Sequence, residues 1–488
     1  MAARAPSRRE PPRARRYRDP VQPSDAVTPS MWHPSRRLLL IGLFSLVTVV
    51  ATEAMAVATV MPVVERDLGD LFLYGWVFSA FQLGTLVGIV VGGRAADRTN
   101  PATPLAAGLA VFCIGLVIAG AAPSMWLLVA GRALQGFGAG AIPTVAYVCV
   151  GRGFPAELRP KVFAVLSTAW VLPSLVAPLA ASGVARAFGW RWVFLGLIPV
   201  ALVVGGIAVH AVRSLGRPAG AGHPEGGRVG IVARLALGAA VLLGGLTAGA
   251  WWLAVPVTAL GLVLVVPAFR DLTPAGTMSL RPRLPAAVGL RGLLTFAFFA
   301  SDAFVPLAVI SVRGQSTVFA GLVLATGAIT WTLGSWTQAR LAEPWGPARL
   351  VRAGLLLVAV GYGIDVLGLL PGVPVAVWFV GEAVACFGIG LAYSPLAVVT
   401  LGEADPGREG AATTALQLSD VLGVALGTGA AGAIVALGDR FASSNTPALT
   451  AVLALSIVVA VAASSLAGRL VQPTATPRSD TVMRPSLP

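Results

Sequence analysis

The stretch "TVVATEAMAVATVMP", Thr48 to Pro62, is apolar apart from three threonines and one ionisable group, Glu53. A lone carboxylate in such a run is costly unless it meets a partner or a proton, so Glu53 is a candidate for chemistry. A second apolar run, "LLVAGRALQGFGAGAIPTV", carries one arginine, Arg132. On helices rising 1.5 Å per residue, Glu53 lies about 13 Å and Arg132 about 12 Å from the same ends of their runs. Equal depth predicts an interaction, direct or through water, that protonation of Glu53 would weaken; a proton could then bias two cavity states.

Four more acids fall inside apolar runs: Asp302, Asp365, Glu382 and Asp420. Asp302 and Asp420 lie deepest and rank next to Glu53, whereas Asp365 is expected near an end, in reach of water. Buried carboxylates around one cavity would attract lipophilic cations and carry protons. Trp76, Phe78, Phe81, Trp170 and Trp331 are candidate pocket walls. Other chemistry is missing. His33, His210 and His223 form no constellation, and Cys113, Cys149 and Cys386 have no metal-ligand spacing. There is no G-x-x-x-x-G-K-[ST] loop, and Lys161 is the only lysine. We therefore expect no enzyme site, metal or cofactor, and no ATP-driven work by this chain alone.

The elements that position these residues follow from composition. Of 488 residues 56% are hydrophobic and 11% charged, with mean hydropathy +0.82, too apolar for a soluble chain of this length. Runs of about 20 residues match the thickness of a bilayer. Fourteen such runs are expected: 38–62, 73–93, 102–122, 125–150, 161–186, 192–211, 231–249, 251–269, 287–311, 316–338, 350–370, 374–399, 410–437 and 447–468. The turn "AGAWW" places Trp251 and Trp252 where a membrane interface is expected. With both termini in the cytoplasm, Arg66, Arg186, Arg191, Arg313 and Arg440 fall outside, and most of the 35 basic residues fall inside. The net charge of +14 is then a topology signal and not a nucleic-acid footprint.

Runs 38–211 and 287–468 each hold six spans, separated by a linker "RSLGRPAGAGHPEGGR" and an inserted helix pair. The expected organisation is an Arg/Pro-rich cytoplasmic tail (1–35), a six-helix half (36–212), a linker with the helix pair (213–286), a second six-helix half (287–470) and a tail (471–488).

Several motifs sharpen this plan. "GGRAADRTNP", after the second run, resembles the major facilitator loop signature G-x-L-a-D-R-x-G-R-[RK] through Gly93, Asp97 and Arg98. Ala95, Asn100 and Pro101 depart from it. A weaker echo, "GSWTQARLAEPWGPARL", follows the tenth run and lacks the aspartate. The Arg132 run resembles R-x-x-q-G-x-g through Gln135, Gly136, Gly138 and Gly140. "WVLPSLVAPLAASG" resembles the antiporter signature g-x-x-x-G-P-x-x-G-G through Pro178, with Pro173 as a second kink candidate. "GWRWVFL" resembles the start of the sixth span in drug exporters. "TEAMAVATVMP" resembles L-D-x-T-x-x-N-x-A-x-P through Glu53 and Pro62, whereas Met55, Ala58 and Val60 replace its other members.

Together these resemble the major facilitator superfamily, and the helix pair resembles its fourteen-span drug/proton antiporter branch, over about residues 36–470. The resemblance implies an all-α polytopic membrane protein of major facilitator fold, with a substrate cavity between the halves. It implies a proton-coupled exporter of drug-like or other small organic compounds in the bacterial plasma membrane. Asp97 would brace the start of the thirteenth run, near Glu409–Ala412. Gln135, Gly136, Gly140, Pro173 and Pro178 would serve packing and bending. A metabolite importer driven by protons, and a non-transporting membrane sensor or scaffold, are the alternatives. Expected partners are a small molecule, protons and lipid, without nucleic acid; a monomer would suffice.

Overall fold

The computed structural model describes residues 31–155, 158, 162, 165, 166, 168, 169, 171–216, 228–248, 250–405, 409–441 and 445–471. Trp170, Lys161, most of the 213–228 linker and the two tails lie outside the described residues, which contain no strand. The chain is helical: α1 (Pro34–Leu68), α2 (Tyr74–Arg98), α3 (Ala102–Gly120), α4 (Met125–Gly153), α5 (Val171–Phe188), α6 (Leu197–Arg213), α7 (Arg228–Leu246), α8 (Trp251–Leu272), α9 (Leu284–Asp302), α10 (Thr317–Gly368), α11 (Val377–Gly402), α12 (Glu409–Phe441) and α13 (Thr446–Leu466). Twelve helices among the described residues are long and apolar enough to cross a membrane, and α5 contributes a shorter apolar helix. The 52-residue α10 breaks at Gly346, which has φ +67°. The fourteen-span expectation requires both limbs of α10 to be counted, and α5 to be the described end of a span that begins before Val171.

Several expected loops are helical. "GGRAADR" forms the last two turns of α2, which ends only at Thr99. The gating signature is therefore a helix end followed by a short turn. Asn100, which stands where the signature has glycine, holds that turn: its side chain accepts from Ala102 N (3.0 Å) and donates to Arg213 O (3.1 Å). The weaker echo after the tenth run is also helical as far as the break at Gly346. The expected continuous span 287–311 breaks instead at Asp302, continues through Val305–Leu307 and ends in a π-helical turn, Ala308–Val312. Pro173 lies in the first turn of α5, where a missing N–H costs nothing, so only Pro178 stands inside the helix.

Small residues set the packing. α2 and α4 run backbone to backbone, and a Cβ at Gly136 or Gly140 would strike Phe81 or Thr85 carbonyl oxygens on α2. "GWRW" pins a corner, with Trp190 Nε1 and Arg191 Nη1 both donating to Asp67 Oδ2 at 2.9 and 3.0 Å. The inserted hairpin α7–α8 sits on the seam between the halves. Val232, Leu235, Ala239 and Val265 pack with Leu83 and Leu86 of α2 and with Leu418 and Leu422 of α12. Trp76 of α2 donates to Thr247 beside α7 at 3.4 Å. Leu202, Val255, Val263 and Val458 are exposed, as lipid-facing side chains are, and Trp252 stands exposed at the start of α8.

Hydrogen bonds tie the two halves together at one end of the bundle. Arg66 Nη2 donates to Ile310 O and Tyr74 Oη to Ala303 O, both at 3.4 Å. Ser79 Oγ donates to Ala425 O (2.9 Å) and lies 3.0 Å from Thr428 Oγ1. Ser182 Oγ donates to Thr317 O at 3.3 Å. This is the end where α1 finishes and α2 begins, and we call it the sealed end.

Candidate functional site

In the N-terminal half α1 supplies Glu53 and α4 supplies Arg132 and Gln135. Arg132 Nη1 donates to Glu53 Oε1 in a direct ion pair. Gln135 Nε2 donates to the same oxygen at 3.2 Å and accepts from Arg132 Nη1 at 3.3 Å. One helical turn separates Arg132 from Gln135, so both reach one point on α1. Arg132 Nε donates to Val77 O at 3.3 Å, and its guanidinium lies 4.2 Å from the centre of the Phe81 ring. Glu53 and Gln135 are wholly buried and Arg132 nearly so. Glu53 Oε2 is buried without a hydrogen-bond partner. The site thus holds one balanced ion pair with a spare acceptor, in surroundings where Coulomb forces are strong.

A second pair lies in the C-terminal half. Arg291 Nε of α9 donates to Asp420 Oδ1 of α12 at 2.7 Å, and Tyr393 Oη of α11 donates to Asp420 Oδ2 at 3.0 Å. Arg291 Nη1 donates to Tyr393 O at 2.6 Å, with the guanidinium against the Tyr393 ring. Sequence reasoning missed Arg291 and Tyr393. The signal was present: Arg291, like Arg132, is an arginine inside an apolar run. It stands near one end, where a basic residue is read as an anchor. Trp331 joins Tyr393 to Phe298 and Phe299 in a run of ring contacts (centroids 5.8, 5.5 and 6.4 Å), forming an aromatic wall. Of the other candidate aromatics, Phe81 lies beneath Arg132, Phe78 packs on Tyr74, and Trp76 serves the hairpin contact.

The remaining acids form a third group. Asp302 closes α9, and Glu382 and Cys386 lie one turn apart on α11. One oxygen of each carboxyl and the thiol sulfur all lie within 4.8 Å of one another. Cys386 Sγ donates to Glu382 Oε1 at 3.2 Å. Asp365, expected to reach water, is instead wholly buried on the second limb of α10, with neither oxygen hydrogen-bonded. Asp365 stands near the end of that limb, as expected, but it packs against Gly381 of α11, where a Cβ would strike its Oδ1. The structure therefore does not bring the five candidate ionisable residues into one cluster. Glu53 with Arg132, Asp420 with Arg291, and Asp302 with Glu382 are three separate groups.

Of the gating candidates, Gly93 and Arg98 lie in the last turns of α2, and Arg98 is exposed. The side chains of Asp97 and of Glu409, at the start of α12, lie outside the described residues. Arg152 of α4 donates to Ala96 O at 3.0 Å, tying the end of α4 to this helix end.

Comparison with known proteins agrees with the architecture. A family model described as Major Facilitator Superfamily matches residues 43–428. A Mycobacterium tuberculosis protein named as a probable multidrug-efflux transporter is 28% identical over 415 residues, covering 80% of this chain and 85% of the relative. Multidrug resistance protein 3 of Bacillus subtilis is 25% identical over 408 residues, covering 80% and 78%. Among solved structures, an auto-inhibited peptide transporter of the POT family superposes with TM-score 0.67 at 15% identity, covering 92% and 99%. An inward-facing bacterial homologue of the lysosomal transporter Spinster gives 0.58 at 17% identity, covering 89% and 95%. At these identities the solved structures speak for the fold alone.

Proposed function

The chain belongs to the major facilitator superfamily, and on that premise we propose that it exports drug-like or other small organic compounds in exchange for protons. It is a multi-pass membrane transporter and not an enzyme. The direction, the coupling ion and the membrane are our reading: a bacterial plasma membrane, with both termini cytoplasmic, as the arginine distribution supports. The names of its relatives, a probable multidrug-efflux transporter and a multidrug resistance protein, support export.

The observation that carries the reading is the buried Glu53–Arg132 pair. A buried ion pair is seldom the most stable solution for a core, and apolar residues of similar volume often do as well or better. Its value lies in being switchable. While Glu53 is ionised, Arg132 and Gln135 hold α1 to α4. A proton on Glu53 cancels the attraction and releases α1 to move relative to α4, changing which end of the central cavity is favoured. The partly exposed rings of Phe299 and Trp331 offer stacking to a lipophilic cation, and Asp420 beside Tyr393 offers it negative charge where the cation competes with Arg291.

The test is transport of a fluorescent cationic dye into inverted vesicles under an imposed pH gradient. Gradient-driven uptake that is lost in Glu53→Gln is expected. Uptake unaltered by that substitution would leave Glu53 a structural residue.

A further inference from the structure

The Asp302–Glu382 group is chemically unlike the two ion pairs. Glu53 has Arg132 and Asp420 has Arg291, but among the described residues no arginine or histidine bonds Asp302, Asp365 or Glu382. The groups that face this nest are Asp302 from α9, Tyr362 and Asp365 from α10, and Glu382 and Cys386 from α11. Tyr362 donates to Phe298 O at 2.7 Å and supplies no charge. Glu382 Oε2 and both Asp365 oxygens are buried and unpartnered. Gly327 on the first limb of α10 makes room here, since a Cβ on it would come 2.9 Å from Glu382 Oε1 and 2.7 Å from Cys386 Sγ. Carboxylates this close, with Glu382 and Asp365 wholly buried and no cation bonded to them, cannot all be ionised.

The nest also sits beside the seal. Asp302 is the last residue of α9, and the next residue, Ala303, offers the carbonyl that takes the Tyr74 hydroxyl across the seam. The chain then runs through Val305–Leu307 into the π turn, whose Ile310 carbonyl takes Arg66 of α1. A π turn and a broken helix are places where a membrane helix can change shape cheaply. The 303–312 segment is therefore a hinged strap, with the carboxyl nest at its root and the opposite half bonded along it.

We propose that Asp302 and Glu382 form a second proton-binding site, separate from Glu53, which latches this strap. With a proton between the two carboxyls, α9 is tied to α11 and the strap is held against α1 and α2. When the O–H bond breaks and the proton leaves to water, two carboxylates repel, the end of α9 shifts, and the Tyr74 and Arg66 bonds are lost. Ionisation thus favours opening of the sealed end. The inference rests on the alternating-access reading above and adds to it a second proton, with a place and a mechanical effect.

The experiment uses spin labels at Asp70→Cys and Pro371→Cys, exposed positions on the two halves near the sealed end, in full-length protein in nanodiscs without substrate. The native cysteines are buried, and protein without the two added cysteines gives the background labelling. Electron–electron distances are read from acid to alkaline pH. The wild-type background should shift from a short to a long distance as pH rises. Asp302→Asn with Glu382→Gln, which mimic the protonated pair, should lose the nest's share of that shift and leave only the smaller change that Glu53 brings. Glu53→Gln should retain the shift. A shift as large in the double variant as in the wild type, a shift abolished by Glu53→Gln alone, or a wild-type distance indifferent to pH would each overturn the proposal. So would a wild-type shift produced by zinc ions at constant pH in place of protons. Should the double variant fail to fold, Asp302→Asn alone carries the comparison. A nest-dependent shift in a protein that exports no dye would leave this inference standing and remove the antiport reading instead.

Discussion

Gly75 of α2 and Gly432 of α12 meet backbone to backbone across the seam between the two halves. A Cβ on Gly75 would lie 2.6 Å from Gly432 Cα, closer than any side chain tolerates. Both glycines stand at the sealed end, near Tyr74 and Ser79, which hydrogen-bond across the same seam. The seal therefore depends on two missing side chains as much as on any bond.

Gly75→Val should fold, because the clash can be relieved by parting the halves, but it should shift the population away from the sealed state. Labelling of a cysteine placed at Ala303, which is buried under Tyr74 in the sealed state, should accelerate several-fold over the same cysteine in the Gly75 background. Unchanged labelling would show that the contact does not limit opening.

Arg132→Ala would leave Glu53 buried and without its cation. Loss of one member of a buried pair costs about 3–5 kcal/mol, so the thermal midpoint in detergent should fall sharply. Glu53→Gln combined with Arg132→Gln removes both charges and should recover much of the loss. A double variant no more stable than Arg132→Ala alone would mean that packing against Phe81, and not charge, makes Arg132 necessary.

Tyr393→Phe removes one hydrogen bond to Asp420 and leaves Arg291 in place. Asp420 is partly wetted, so the expected cost is about 1 kcal/mol, or roughly fivefold in the apparent affinity for a cationic dye. Asp420→Asn should cost more, since it also orphans Arg291. Equal affinities in wild type and both variants, read by dye fluorescence quenching, would place the substrate elsewhere.

Asn100→Ala strips the turn after α2 of two side-chain bonds, to Ala102 N and Arg213 O. The expected loss is about 0.5–2 kcal/mol, in line with other cap and turn residues. Faster cleavage of this turn by protease, with little change in dye transport, is the expected pattern. Asn100→Gly, which matches the family signature, should fall between wild type and alanine.

The fold was legible in the sequence because hydropathy is a local property. Each apolar run reports its own burial, and the arginine between runs reports its own side of the membrane. Glu53 and Arg132 could be paired on paper for the same reason: both lie inside single uninterrupted helices, where depth is residue number multiplied by rise. Asp302, Asp365 and Glu382 could not. They come from three helices, and the end of the first at Asp302, inside the expected span 287–311, does not follow from hydropathy. Nor could Arg291 be assigned to Asp420, since helix rotation and crossing decide that contact between residues 129 positions apart. Sequence by itself determined that this is an all-helical, multi-pass membrane protein with ionisable groups in its spans. Only tertiary structure decided which of those groups neutralise one another and which are left to hold a proton, because charge compensation depends on distances between helices.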